Sequence, residues 1–438
     1  MIINSDIVGI IADDLTGAND TALQFHLKGA NTQILLNDNI DLLNIKGTQT
    51  WAIATETRNV NSKEAYDKVF KTTETIVKKV NPDYFYKKID STIRGNIAIE
   101  ILAVLGALNW EASIICPAFP AESRVTIGGY HLLKGIPIER TEMARDPHKP
   151  IMESHIPTLL KSQLTQEYED LVGHIELRTI IKGAGPILME VNRLIKEGKK
   201  LIVADAASTT DIEQVALAIY KSDYKILPSG SAALAGCMSE LWFADMENQR
   251  ISKQFPKLPK FIISGSSTNI TSSQLDKLDQ TDEFDNILMI NLDLQSILNG
   301  VSEELVERCV NNLDKNYVVV VNTSHLIINF DGFSDESLNA DLTKATLATT
   351  ITDFLAELAQ RVTERKEVIL ITLGGETSYK CCHAIGAEQL QLIDEVAPAI
   401  PLCMDHNARW IVTKSGNLGN NNTLIDIIRY FNAHDTQE

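Results

Sequence analysis

Short runs of apolar residues alternate along the chain with longer segments in which apolar residues recur at helical spacing. The apolar runs that predict strands in the first half cover residues 7–12, 50–54, 83–89, 112–116 and 201–204. Helical patterns lie at residues 21–28, 97–108 and 212–220. This alternation is typical of β-α-β units, in which helices connect buried parallel strands. The sequence therefore predicts an α/β fold with mostly parallel sheets flanked by helices.

A polar stretch at residues 248–260, with several lysines and two prolines, interrupts this rhythm, and we take residues 254–259 as the linker or its end. Beyond it, the predicted strands and helices cover residues 261–264, 271–278, 286–292, 317–322, 349–361 and 368–372. A chain of 438 residues exceeds the usual domain size of roughly 100–200 residues. We therefore predict two α/β domains, residues 1–248 and 259–438.

The chain carries a formal net charge of −18, which disfavours nucleic acid and anionic membranes as partners. The six cysteines form no CxxC pair, so neither a zinc site nor a disulfide framework is expected. The N-terminus lacks the basic start of a signal peptide, and no apolar run reaches the roughly 20 residues of a membrane-spanning helix. These features predict a cytoplasmic protein, and they leave its oligomeric state open, including a homo-oligomer.

Two adjacent aspartates, Asp13 and Asp14, directly follow the first predicted strand. Ligands of open α/β sheets bind beyond the carboxyl ends of the strands. Carboxylates at this position can accept hydrogen bonds from a substrate hydroxyl, hold a magnesium ion or take a proton. The simpler alternative is that one aspartate only caps the helix that follows.

A second polar segment, residues 87–96, follows the aromatic strand predicted at 83–89. Its candidate binding residues are Lys88, Asp90, Ser91, Thr92 and Arg94. Arg94 could present its planar fork to a carboxylate, and a buried Asp90 would need Arg94 or Lys88 as its partner. The two hydroxyl residues could cap the following helix. The alternative is a solvated charged turn.

Two more segments that follow predicted strands contain candidate binding or catalytic residues. Arg58 is the last residue of a Thr-Glu-Thr-Arg segment that follows the strand at residues 50–54, and it is a second candidate, besides Arg94, for binding a carboxylate. Residues 116–131 combine prolines that stiffen a turn with glycines that allow a tight backbone. His131, at the end of this stretch, could act as a base, although most histidines do not.

Three loops rich in small residues each follow a predicted strand of the second domain. Their candidate binding residues are Ser264, Gly265, Ser266, Gly374, Gly375, Glu376, Thr377, Lys414, Gly416, Asn417 and Gly419. Small residues let the backbone approach phosphate groups, and helix N-termini attract anions. Each loop alone could be a plain turn, but together they predict one phosphate-binding site. The chain contains neither GxxxxGK[ST] nor GxGxxG, which disfavours a P-loop ATPase and a dinucleotide-binding dehydrogenase.

These motifs resemble those of a known family. IADDLTGAND, TETR, KKIDSTIRGN and CPAFP resemble the sugar-binding N-terminal domain of the four-carbon acid sugar kinases. SGSST, LGGET and KSGNLG resemble the nucleotide-binding C-terminal domain of the same family. The resemblance implies that the protein uses ATP, with Mg²⁺, to phosphorylate the terminal hydroxyl of threonate, erythronate or an oxo-tetronate. It also implies that Asp14, Arg58 and residues 90–94 hold the acid, and that the three loops surround ATP.

The chain departs from the family pattern at several positions. The family usually has Gly at Ser123, Cys at Ser267 and often Thr at Leu373, and the pair His148-Lys149 is atypical. These departures leave the reaction class unchanged but leave open which acid is the substrate.

The mechanism expected from these residues is in-line phosphoryl transfer, which depends on positioning and charge neutralisation. We expect Arg58, Arg94 and Lys88 to bind the substrate carboxylate. Asp14 or Asp90 would contact the attacking hydroxyl and accept its proton.

The second domain would supply the nucleotide. Lys414 would hold the triphosphate, and Glu376 is a candidate for contacting Mg²⁺ through water. Because the two substrates are expected on different domains, domain closure is also expected. The alternatives are a magnesium-dependent phosphatase or phosphotransferase that uses an aspartyl phosphate on Asp13 or Asp14, and a non-catalytic sensor of sugar acid and nucleotide.

Overall fold

The computed structural model describes residues 6–36, 47–146, 149–246, 255–315, 317–328 and 343–434. The chain divides into two compact units, residues 1–249 and 250–438. Of the predicted linker, residues 254–259, only residue 254 lies outside the described ranges, and the buried Phe255 packs in the core of unit 2. The linker itself stays a prediction. Among the helices that the structure describes, none combines the length and the apolar character required to cross a membrane.

The strands of unit 1 are β1 (Val8–Ala12), β2 (Thr32–Leu35), β3 (Thr50–Ala54), β4 (Tyr84–Lys88), β5 (Ala112–Cys116), β6 (Arg124–Ile127), β7 (Tyr130–Leu133), β8 (Ile136–Pro137), β9 (Val172–Ile175), β10 (Leu201–Ala204) and β11 (Ile226–Gly230). The main sheet is parallel, with the order β2-β3-β1-β4-β11-β5-β10-β9. The remaining three strands form a small antiparallel sheet, β6-β7-β8, that the sequence did not predict.

The helices of unit 1 are α1 (Leu15–His26), α2 (Ser62–Lys79), α3 (Ile97–Leu108), α4 (Ile156–Ser162), α5 (Leu177–Ile180), α6 (Ala184–Lys196), α7 (Thr209–Tyr220) and α8 (Ala232–Trp242). Short 3-10 turns occupy Pro120–Glu122, Ile138–Arg140, Glu142–Arg145 and Gln166–Leu171. Helix α3 is almost entirely apolar and packs into the core, as its sequence predicted. Helix α1 begins six residues before the predicted start at 21, because Asp14 caps it.

The strands of unit 2 are β12 (Lys260–Ser264), β13 (Ile287–Asn291), β14 (Val318–Asn322), β15 (Ile369–Leu373), β16 (Gln389–Ala397), β17 (Ile400–Asp405) and β18 (Trp410–Lys414). Their order is β13-β14-β12-β15-β18-β17-β16. The first five strands of this order are parallel, whereas β17 runs antiparallel to both of its neighbours. The helices are α9 (Asn269–Asp279), α10 (Leu294–Leu298), α11 (Glu303–Leu313), α12 (Ser324–Ile328), α13 (Lys344–Thr363), α14 (Gly375–Ala384) and α15 (Thr423–His434). The prediction of an α/β fold with mostly parallel sheets is confirmed.

The strand register brings the candidate loops of each unit together. In unit 1, Ala12 pairs with Ala54 on one side and with Lys88 on the other, so the loops after β1, β3 and β4 begin side by side. In unit 2, Leu373 pairs with Ser264 and Lys414, so the loops after β12, β15 and β18 also begin side by side. Each set of loops therefore lies at the carboxyl edge of its sheet, where ligands of α/β proteins bind.

Candidate functional site

Arg58 ties together the ends of three strands in unit 1. Its Nε lies 2.7 Å from Asp13 Oδ2, and its Nη1 lies 2.7 Å from Asp14 Oδ2. Its Nη2 is 3.8 Å from Asp90 Oδ1. Burial alone would raise the pKa of Asp13, but the charge and hydrogen bond of Arg58, together with the charges of Lys87 and Lys88, outweigh it, so this pKa lies below its ordinary value. Arg58 therefore helps to keep the buried Asp13 ionised.

Arg94 neutralises the turn after β4. Its Nε donates to Asp90 Oδ2 over 2.7 Å, and its Nη1 donates to Asp146 Oδ2 over 2.8 Å. Although burial opposes it, the charges of Arg94 and Arg58 hold the pKa of Asp90 well below its usual range. Asp90 and Thr92 are buried, so the alternative of a solvated charged turn is wrong. The predicted partner of Asp90 is confirmed.

The two hydroxyl residues of this turn do not cap α3, which corrects the expectation from the sequence. Thr92 Oγ1 donates to Asp90, and Ser91 Oγ accepts from Arg124 Nη1 over 3.1 Å. The N-cap of α3 is Asn96, whose side chain donates to carbonyl oxygens of the loop after β3. The hydroxyls thus brace the charged loop and not the helix.

Asp14 has two structural roles at once. Its Oδ1 accepts from the backbone N–H of Gly17 over 2.7 Å, so it caps α1 as the simpler interpretation proposed. Its Oδ2 accepts from Thr16 Oγ1 over 2.9 Å as well as pairing with Arg58. Asp13 differs, because its buried Oδ1 has no hydrogen-bond partner among the described residues. One carboxylate oxygen at the end of β1 is therefore open to a ligand.

Two buried cations of this site have no carboxylate within 4.0 Å in the described part of the chain, namely Lys88 and Arg124. They are only 4% and 5% exposed. Burial lowers the pKa of Arg124, and its Nε finds no acceptor among the described residues. Lys87 contrasts with them, because its Nζ lies 2.8 Å from the buried Glu100 Oε2. Lys88 and Arg124 therefore lack a direct carboxylate partner within the described ranges, whereas Arg58 and Arg94 are each paired with two aspartates.

The sequence analysis assigned no role to Arg124, Glu56 or Asp20, although each lies in a segment that follows a predicted strand and contains candidate residues. Partial burial, opposed by the charges of Lys88 and Arg124, raises the pKa of Asp20 to about 6. Burial and the nearby Asp14 raise the pKa of Glu56 to about 8. The burial that shifts these groups comes from distant segments of the chain, so no local signal could have found them.

His131 is held by both of its ring nitrogens. Its Nε2 lies 2.9 Å from the carbonyl oxygen of Ser91, to which it must donate, and its Nδ1 lies 3.1 Å from Thr126 Oγ1. Burial lowers its pKa to about 4, so the ring is neutral at physiological pH. The geometry gives His131 a role in positioning the loop of Ser91 and leaves no free nitrogen to act as a base.

The three loops of unit 2 meet as predicted. Thr268 Oγ1 donates to the carbonyl of Gly416 over 2.7 Å, and the N–H of Gly374 donates to the carbonyl of Lys414 over 2.9 Å. A Cβ atom on Gly265 would clash with Thr377 Oγ1, and one on Gly416 would clash with Ser266 Oγ. These glycines are therefore required by the close approach of the loops.

Helix α14 points an open N-terminus into this cluster of loops. Its N-cap is Gly374, at a φ of 113°, and no side chain caps the helix. The buried Ser264 Oγ has no hydrogen-bond partner among the described residues. Small residues, open backbone N–H groups and an unsatisfied hydroxyl fit the oxygen atoms of a polyphosphate.

The remaining candidates of unit 2 lie around the same loops. Lys414 is fully buried and its Nζ donates to the carbonyl of Ser415 over 3.0 Å. Glu376 Oε1 lies 3.3 Å from Lys380 Nζ, and Asn417 and Gly419 lie on the loop after β18. Within the described ranges, no group of three or more His, Cys, Asp or Glu side chains could hold a metal ion. Residues 147 and 148, which include the atypical His148, lie outside those ranges.

Glu56 yields a prediction about stability and pH. Its Oε1 accepts from the N–H of Leu15 over 2.7 Å, a bond that glutamine can also accept. Between its ordinary pKa of 4.5 and about 8, folded Glu56 keeps a proton that the unfolded chain releases, so its contribution destabilises the fold progressively over this range. The free energy of unfolding of Glu56→Gln, minus that of wild type, should therefore rise with pH by at most about 1.4 kcal/mol per pH unit. This difference should level off above the pKa of folded Glu56.

The test is urea unfolding of both proteins from pH 5 to 9, with the exposed Glu213→Gln as the control. The control should differ from wild type by the same amount at every pH. If the difference for Glu56→Gln is equally flat, then Glu56 does not hold a proton in the folded protein.

Comparison with known proteins places this geometry in a family. A sequence profile for a sugar-binding N-terminal domain matches residues 8–238, and one for a nucleotide-binding C-terminal domain matches residues 261–424. The chain is 28% identical to a D-erythronate kinase of Heliobacterium modesticaldum, over 97% of this chain and 96% of that protein. It is 27% identical to a D-threonate kinase of Salmonella typhimurium, over 96% of this chain and 97% of that protein.

The fold has also been observed experimentally. A crystal structure of a Salmonella typhimurium protein matches with a TM-score of 0.77 at 22% identity, over 97% of this chain and 99% of that chain. The sequence profiles and the full-length relatives agree with the motifs at both strand edges. The chain therefore belongs to the four-carbon acid sugar kinase family, with the sugar-binding domain first and the nucleotide-binding domain second.

Proposed function

We propose that this protein transfers the terminal phosphoryl group of ATP, with Mg²⁺, to the terminal hydroxyl of a four-carbon sugar acid. The observation that carries the proposal is the pairing, in one chain, of two kinds of site. Unit 1 holds two buried cations that have no carboxylate within 4.0 Å among the described residues, and unit 2 has an uncapped helix N-terminus. The two relatives that act on D-erythronate and D-threonate support these two acids as the first candidates.

In unit 1 we propose a framework and a set of contacting groups. Arg58 and Arg94 hold Asp13, Asp14 and Asp90 in place. The unsatisfied Oδ1 of Asp13 accepts a hydrogen bond from a substrate hydroxyl. Lys88 supplies a buried positive charge that has no carboxylate within 4.0 Å among the described residues. The eight residues proposed to form this site are Asp13, Asp14, Arg58, Lys88, Asp90, Ser91, Thr92 and Arg94.

Of the two candidate proton acceptors, the structure favours Asp14. Asp90 is a weak base, because Arg94 and Arg58 hold its pKa well below the usual range. Asp14 lies at the end of β1, where Arg58 contacts one of its oxygens and the N–H of Gly17 donates to the other, so a substrate hydroxyl would have to share one of these oxygens. Phosphoryl transfer passes through a loose transition state, so a carboxylate of modest basicity is sufficient to orient the hydroxyl and take its proton.

In unit 2 we propose that backbone groups do most of the binding. The N–H groups at the start of α14, from Gly375 to Thr377, and the Ser264 hydroxyl donate to phosphate oxygens. Lys414 adds positive charge behind the loops, and Glu376 is the proposed contact for the metal through water. When bound, ATP and Mg²⁺ supply the phosphoryl group and neutralise the charge that develops during transfer.

The proposed reaction predicts ADP release that depends on a sugar acid. A coupled assay over D- and L-threonate, D- and L-erythronate and the oxo-tetronates should give turnover with D-threonate or D-erythronate. Asp14→Asn should lower kcat by roughly 100-fold or more, since a positioned base typically contributes this much. Asparagine can still cap the helix but loses the buried ion pair with Arg58, so the variant should be less stable, and kcat should be compared at a temperature where both proteins are folded.

Two outcomes would contradict this proposal. Binding of acid and nucleotide without ADP formation would favour a sensor, and phosphate release from a phosphorylated acid without ATP would favour a phosphatase. An unchanged kcat in Asp14→Asn would reject Asp14 as the proton acceptor.

The nucleotide loops yield a separate prediction. A Cβ on Gly416 would push against Ser266 Oγ and Thr268, so Gly416→Ala should separate the loops. Forced overpacking typically costs about 1–3 kcal/mol, and we expect ATP binding to weaken by roughly 5- to 100-fold. Binding of the sugar acid, which uses residues of unit 1, should be unchanged when measured by calorimetry.

The matched control is Gly185→Ala in α6, where an added Cβ meets no atom within 4 Å. Equal ATP affinity in Gly416→Ala and Gly185→Ala would show that these loops do not bind the nucleotide.

A further inference from the structure

Arg124 is a buried arginine with little to balance its charge. Its Nη1 donates to Ser91 Oγ over 3.1 Å, and its Nε is enclosed without an acceptor in the described part of the chain. The side chain is only 5% exposed. Burying a guanidinium without a nearby counterion lowers the stability of a fold by several kcal/mol, unless a bound anion compensates for the charge. Arg124 lacks a directly bonded counterion among the described residues, and Glu122, Asp90 and Asp20 act on its charge only from a longer distance.

The other buried arginines of the site are already neutralised. Arg58 pairs with Asp13 and Asp14, and Arg94 pairs with Asp90 and Asp146. A substrate carboxylate near either guanidinium would compete with the internal carboxylates that already pair with it. Arg124 imposes no such cost, because it has no carboxylate partner within 4.0 Å among the described residues.

The surroundings of Arg124 hold it at the strand ends. Strand β6 begins with Arg124, directly after Ser123, whose φ of 56° lies in the left-handed region. Asp205 accepts from the N–H groups of Gly128 and Gly129, over 2.7 and 2.9 Å, and so fixes the turn between β6 and β7. Through Ser91, the guanidinium is also tied to the loop after β4. The arginine is thus preorganised and does not need to move to meet a ligand.

A second cation and an acceptor lie near Arg124. Lys88 is 4% exposed and likewise has no carboxylate within 4.0 Å in the described ranges. Asp20 lies within the electrostatic reach of both cations, and its buried Oδ1 has no hydrogen-bond partner among the described residues. Two cations within electrostatic reach of a carboxylate that has one unsatisfied oxygen would complement a molecule that carries a carboxylate next to a hydroxyl group.

We propose that Arg124, assisted by Lys88, binds the carboxylate of the sugar acid, and that Asp20 accepts a hydrogen bond from a hydroxyl near that carboxylate. This inference rests on the proposed function and names the group that distinguishes sugar acids from the corresponding sugar alcohols. Arg58 and Arg94 then belong to the framework of the site. The substrate class is a 2-hydroxy acid whose far end carries the hydroxyl that is phosphorylated.

The test compares an acid with its carboxylate-free analogue. Wild type and Arg124→Gln are assayed for ADP release with D-threonate and D-threitol, and with D-erythronate and erythritol. Glutamine keeps a donor for Ser91, which preserves the local fold. We expect kcat/KM for the acid to fall roughly 30-fold or more, as for a lost buried charge pair, so the preference for the acid over the matching alcohol should shrink by about the same factor. Arg178→Gln, at a side chain 78% exposed, is the matched control and should change neither rate.

Two results would overturn the assignment. Equal losses for acid and alcohol would give Arg124 a purely structural role, and unchanged kcat/KM for the acid would remove it from the site. Calorimetric binding of the same acids separates this inference from the proposed reaction. A wild type that binds an acid without turnover contradicts the proposed kinase reaction, and the loss of that binding in Arg124→Gln would still support the assignment.

Discussion

The buried ion pairs of Arg58 determine the arrangement of the sugar-acid site. Its guanidinium meets carboxylates at the ends of β1 and approaches the one that follows β4, and it comes itself from the loop after β3. Buried carboxylates this close together would repel one another and take up protons without a shared cation. Because one rigid fork satisfies two of them directly, the three loops are held in one geometry before any ligand arrives.

We propose that the two units bind anions by different physical means. In unit 1 the internal ion pairs use up Arg58 and Arg94, so the charge that remains for a small carboxylate resides on Lys88 and Arg124. In unit 2 the loops approach so closely that glycine is required, and the start of α14 is left uncapped. Side-chain cations suit a compact carboxylate, whereas an array of backbone N–H groups suits the many oxygens of a polyphosphate.

Local sequence patterns predicted the strands and loops well, and failed where a role depends on distant partners. Strands β3 and β5 have the predicted bounds, because their apolar runs end at clear turn signals. The antiparallel pair β16 and β17 was missed, since buried and partly exposed residues alternate irregularly along β16, and β17 is a short, mostly buried strand. The roles of Arg124 and Glu56 could not be predicted, because they arise from burial and from neighbours that the fold brings from far along the chain.

The central claim, that Arg58 belongs to the framework of the site, is tested most directly by the free energy of unfolding of Arg58→Met as a function of pH. The account predicts a loss of roughly 3–5 kcal/mol at pH 7, because Asp13 and Asp14 are left as unpaired buried charges. The loss should shrink as the pH falls through the ordinary aspartate pKa of 3.8, where the carboxylates take up protons. A variant as stable as the wild type at every pH, yet unable to bind the sugar acid, would contradict the claim and make Arg58 a ligand of the substrate.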